Sequence, residues 1–125
     1  MLERLHIQNY AIIDRITIDF SKGLSIITGE TGAGKSILLG ALGLIMGRRA
    51  DTKTLYEADK KCIVEAVFSA FPKEAEKILQ EEELDIEDQL FIRREISATG
   101  KSRSFINDTP VNLDIIQKLS PFLLD

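Results

Sequence analysis

The stretch that most constrains this chain is Gly29-Glu30-Thr31-Gly32-Ala33-Gly34-Lys35-Ser36. Its fixed positions spell G-x-x-x-x-G-K-S. A short apolar, β-branched run, Leu24-Ser25-Ile26-Ile27-Thr28, precedes it, and Ile37-Leu38-Leu39-Gly40-Ala41-Leu42 follows with the character of a buried helix. Strand, glycine loop and helix in that order predict a P-loop. The residue types suit a triphosphate. Backbone N–H groups in a tight turn, together with the positive end of a helix, make a concave anion site. Gly32 and Gly34 can take positive φ and put no side chain against a phosphate. Lys35 is placed to reach the β- and γ-phosphates, and Ser36 to set its hydroxyl on Mg²⁺. The competing reading is a chance glycine-rich turn before a helix, and the flanking strand and helix weigh against it.

Composition narrows the partners. A chain of 125 residues, 44% hydrophobic and 29% charged, predicts one globular domain rather than a disordered one. The formal net charge of -4 gives no global signal for nucleic acid, so DNA contact would have to come from a local patch. Cys62 is the single cysteine, which fits a reducing cytoplasm. The longest apolar run, residues 37–47, is too short to span a bilayer, and residues 1–6 lack the layout of a signal peptide.

Alternation of apolar residues predicts two strands over residues 2–20, broken by a turn at Gln8-Asn9-Tyr10-Ala11, with a second turn at Ser21-Lys22-Gly23. Tyr10 either packs on the sheet or approaches an adenine ring, and packing is the simpler reading. A helix is expected over 35–46, its Gly40, Gly43 and Gly47 on one face for close approach to the sheet. Arg48 and Arg49 suit the negative end of that helix, with a nucleotide- or DNA-facing role as the alternative. A strand over 62–71, a helix over 72–83 and a hairpin over 90–107 follow. Arg93, Arg94, Lys101 and Arg103 concentrate positive charge on that hairpin, as a phosphate-contacting patch or as a solvated, ion-paired surface. Asn107-Asp108-Thr109-Pro110 reads as a turn, Asn112 as the cap of a helix over 113–119, and Pro121 as its stop. No convincing acidic strand end for Mg²⁺ follows Ser36; Leu124-Asp125 comes nearest. The expectation is therefore an N-terminal piece of a larger protein.

Taken together, Leu5-His6-Ile7-Gln8-Asn9-Tyr10-Ala11-Ile12-Ile13-Asp14, the Glu-Thr inside the P-loop, Ile92-Arg93-Arg94-Glu95-Ile96-Ser97 and Ser104-Phe105-Ile106-Asn107 resemble the N-terminal ATPase segment of the RecN family. These are bacterial DNA double-strand-break repair proteins related to SMC proteins. The resemblance implies an α/β P-loop NTPase fold, the N-terminal lobe of an ABC-type ATPase head, with a mixed sheet and an antiparallel β portion over 62–106. It implies ATP and Mg²⁺ as ligands of Gly29, Glu30, Thr31, Gly32, Ala33, Gly34, Lys35 and Ser36, with Lys35 as the catalytic cation and Ser36 on the metal. It further implies a C-terminal lobe of the same protein, a head–head dimer, DNA as a partner of the complete protein, no membrane partner, and a cytoplasmic, nucleoid-associated location. The complete protein would be an ATPase, whereas these residues alone would bind ATP without appreciable hydrolysis. A small P-loop kinase and the nucleotide-binding domain of an ABC transporter are the alternatives.

Overall fold

The computed structural model describes residues 1–20, 32–50 and 55–124. The turn expected at 21–23 and the strand expected at 24–28 lie outside them. The described elements are β1 (Leu2–Tyr10), β2 (Ile13–Asp19), α1 (Gly32–Ile45), β3 (Cys62–Ser69), α2 (Lys73–Glu81), β4 (Gln89–Ile96), β5 (Ser102–Ile106), β6 (Thr109–Val111) and α3 (Leu113–Leu123). The six strands form one sheet in the order β2-β1-β3-β4-β5-β6, and every pairing is antiparallel. The expected antiparallel portion is therefore present and is larger than 62–106, because β1 and β2 join the same sheet.

Alternation decides which face is dry. Leu5 and Ile7 on β1, Cys62, Val64, Ala66 and Phe68 on β3, and Leu90, Ile92 and Ile96 on β4 point into one buried cluster. Ala41, Leu44 and Ile45 of α1, Ala75 and Leu79 of α2, and Ile115, Ile116 and Leu119 of α3 complete it. All three helices thus pack on one face. The opposite face carries polar and charged groups; there the His6 ring bonds the Thr17 hydroxyl at 2.8 Å and the Gln8 side chain at 3.4 Å.

Several boundaries differ from the sequence reading. β1 runs through Tyr10, so the first turn is only Ala11 and Ile12, between the paired residues Tyr10 and Ile13. Asn107 and Asp108 both have positive φ, 48° and 67°, and form a two-residue turn of the kind that matches strand twist; this frees Thr109 to start β6. Pro121 does not stop α3, which continues to Leu123. The Gln117 carbonyl that would have received the missing proline N–H instead accepts the Ser120 hydroxyl at 3.3 Å. The apolar residues Phe122 and Leu123 therefore extend α3.

Gly47 ends α1. Its φ is +98°, its N–H donates to the Leu44 carbonyl at 3.1 Å, and the Arg48 N–H donates to the Gly43 carbonyl at 3.0 Å. That pair of bonds is a Schellman cap. Only Gly40 makes the expected approach to the sheet, lying against the Tyr10 side chain; Gly43 faces Arg48, and a Cβ on Gly47 would sit 2.5 Å from Gln117 Cγ. Gly47→Ala should lower unfolding free energy by about 1–2 kcal/mol, the scale of the left-handed penalty. Urea denaturation of both proteins measures it, and an unchanged midpoint would refute the cap.

Candidate nucleotide-binding site

Of the expected phosphate cradle, Gly29, Glu30 and Thr31 lie outside the described residues. Gly32 and Ala33 form the first turn of α1, and Gly34, Lys35 and Ser36 are exposed there. The helix begins three residues earlier than the expected Lys35. Gly32 and Gly34 are helical rather than left-handed, so what glycine provides at those two positions is the absence of a side chain. Lys35 and Ser36 stand together on the exposed first turns, where a helix presents unsatisfied N–H groups and its positive end.

Tyr10 does not present a free ring. It is half-buried against α1, and burial raises its pKa, with a smaller contribution from Cys62. Neighbouring Asn9 was missed by sequence reasoning. It is buried with φ 56°, and its side chain clasps the chain near residue 60. Its Nδ2 donates to the carbonyls of Glu57 (3.1 Å), Lys60 (2.9 Å) and Lys61 (3.3 Å), while Oδ1 accepts from the Glu57 N–H at 2.6 Å. Its sequence position suggested only a turn residue.

The basic hairpin divides. Arg94 is fully buried and is removed from any phosphate-contacting surface. Its Nη1 donates to the carbonyls of Leu44 (2.8 Å) and Arg48 (2.9 Å), and Nη2 donates to the Ser102 hydroxyl at 2.7 Å. Alternation puts residue 94 on the dry face, and the end of α1 supplies the acceptors. Arg93, on the other face, is ion-paired: 3.1 Å to Asp108, 3.2 Å to Glu95 and 3.6 Å to Glu65, with its guanidinium 4.3 Å from the Phe105 ring centroid. Lys101 and Arg103 remain exposed. The patch of four cations is thus two exposed groups, one neutralised group and one core residue.

Residues 4–120 match a family model described as AAA domain. The chain belongs to the AAA domain family. It is 40% identical over 128 aligned residues to the DNA repair protein RecN of Haemophilus influenzae, covering 99% of this chain and 23% of that protein. It is 39% identical to RecN of Vibrio cholerae, covering 100% and 23%. The chain therefore spans roughly a quarter of the length of these curated relatives. Its fold is similar to that of an SMC ATPase studied for ATP-driven dimerization and DNA-stimulated activation, with TM-score 0.71 and 21% identity over 94% of this chain and 76% of that one. The RecN resemblance read from the sequence is borne out, and the similarities favour it over the small-kinase and transporter readings. Family and fold together imply nucleotide binding. No helix among the described residues is long and apolar enough to cross a membrane.

In the core near Arg94, burial pushes the Cys62 thiol from its ordinary 9.0 up to about 11, opposed by the smaller pull of the Arg94 charge. The folded state therefore holds this proton more tightly than the unfolded chain does. The resulting stability is fully present below about pH 9 and is lost as pH rises through about 11. Replacing Cys62 with Ala should flatten the fall in unfolding free energy between about pH 8 and about pH 10.5. Urea titrations at the two pH values test this, and equal slopes in both proteins would contradict it.

Proposed function

We propose that this chain is the ATP-binding N-terminal lobe of a RecN-like, SMC-related ATPase head, over residues 1–125, acting in repair of DNA double-strand breaks and recombination. The observation that carries the reading is identity of 34–40% to RecN proteins across essentially the whole chain, with the P-loop sequence at 29–36 opening helix α1. In this reading the backbone of residues 29–34 cradles the phosphates, Lys35 neutralises the β- and γ-phosphates, and Ser36 gives its hydroxyl to Mg²⁺. The geometry supporting this is the exposed Gly34-Lys35-Ser36 at the amino end of α1.

The rest of a catalytic head is proposed from the family. A C-terminal lobe supplies the metal-holding acid, and a second head closes over the nucleotide. ATP binding then favours head association, which reorganises the part of the complete protein that holds DNA. The SMC structure studied for ATP-driven dimerization supports this mechanism by its similar fold. The protein would work in the bacterial cytoplasm, at the nucleoid when bound to DNA.

Lys35→Ala should weaken binding of a fluorescent ATP analogue with unchanged circular dichroism. The loss expected for each charge-assisted contact is about 1.5–3 kcal/mol. Equal dissociation constants would remove Lys35 from the site. Steady-state phosphate release from the 125-residue chain with Mg²⁺-ATP should stay far below about 1 s⁻¹, because hydrolysis also needs a metal-holding acid and a positioned water. Turnover at that rate, abolished by Lys35→Ala, would show instead that these residues are a complete enzyme.

A further inference from the structure

Arg94 is the only fully buried charged side chain among the described residues. The other inward positions of β4 are Leu90, Ile92 and Ile96, all apolar. The Arg94 hydrogen bonds go to two peptide carbonyls and one hydroxyl rather than to a carboxylate, and its Nε is buried without a partner among the described residues. Both carbonyls belong to the last turn and cap of α1. On the other side of that cap, Gln117 of α3 donates to the Gly47 carbonyl at 2.9 Å. The carboxyl end of α1 is therefore pinned from β4 and from α3, while its amino end, with Lys35 and Ser36, is exposed.

We propose that Arg94 is a positioning residue for phosphate binding, acting through α1 from the end opposite the P-loop. The inference rests on the P-loop reading above. A packed helix moves as a rod. At 14 residues α1 is about 21 Å long, so a tilt of about 3° at the pinned end displaces the other end by about 1 Å. Displacements of that size at a reacting group cost up to about 100-fold in rate. A guanidinium suits the task because its planar fork can hold two carbonyls and a hydroxyl at once. A lysine ammonium at the same depth lacks that fork. The Ser102 bond also ties this anchor to the start of β5, beside the exposed Lys101 and Arg103.

The test measures ATP-analogue dissociation constants for the full chain, well below every variant's melting temperature. The variants are Arg94→Met, Arg94→Lys, Ser102→Ala, Lys35→Ala and, as a destabilised core control in α2, Leu79→Ala. Arg94→Met should bind about tenfold more weakly. Arg94→Lys should recover part of the loss, Ser102→Ala should show a smaller loss, and Leu79→Ala should bind as the parent does. An unchanged constant in Arg94→Met beside lost binding in Lys35→Ala overturns the inference and leaves the P-loop reading standing. A loss in Leu79→Ala equal to that in Arg94→Met also overturns it, because general destabilisation then accounts for the effect. If Arg94→Met fails to fold, parental constants in both Arg94→Lys and Ser102→Ala overturn it. If Lys35→Ala binds like the parent, the P-loop reading falls and takes this inference with it.

Discussion

Among the described residues, one buried cation organises the fold. The Arg94 side chain rises from the dry face of the sheet and meets the carboxyl end of the P-loop helix. An isolated charge in an apolar interior is costly, and it persists only where acceptors surround it. Here the acceptors are the Leu44 and Arg48 carbonyls, at the negative carboxyl end of α1, and the Ser102 hydroxyl. A charge without a counter-ion is thus met by the negative end of a helix. Burial pushes the Arg94 pKa down, with the neighbouring Cys62 opposing, but the hydrogen bonds point all its bonded N–H groups at oxygen.

Around that contact the two faces of the sheet do different work. The inner face is aliphatic and packs three helices into one cluster. The outer face is held by polar pairs, with Arg93 at the centre of Glu65, Glu95, Asp108 and the Phe105 ring. Partly exposed ion pairs of this kind add little stability each. Their consequence is for recognition, since an arginine already matched with three carboxylates has little charge left for a phosphate backbone. Adjacent arginines, 93 and 94, thus have opposite fates because successive strand residues point to opposite faces.

Residues with positive φ mark where the chain turns back to build this arrangement. Asn9, Asn107 and Asp108 are left-handed, and the two asparagines use their side chains to hold distant backbone. Asn107 accepts from the Phe91 N–H at 2.9 Å and donates to the Asp85 carbonyl at 3.0 Å, fixing the loop before β4 to the turn after β5. Asn9 does the same for residues 57–61. Both turns therefore couple strands that are far apart in sequence.

The sequence alone determined the local features. Spacing at 29–36 spelled a P-loop sequence, period-two alternation located β1 to β5, and Pro72 and Asn112 marked the starts of α2 and α3, because these signals depend on neighbours along the chain. Tertiary structure decided everything that depends on which face or which distant group a residue meets. Alternation with Leu90, Ile92 and Ile96 separates Arg94 from Arg93, but nothing local shows which acceptors Arg94 meets, or that Asn9 is buried, or that Gly47 caps a helix while Gly40 admits Tyr10. Pro121 reads locally as a stop, yet α3 passes through it because the Ser120 hydroxyl occupies the carbonyl left without a donor and the helix packs on the core. Hydrogen-bond partners for a buried polar group are contributed by other elements, and only the folded arrangement brings them within reach.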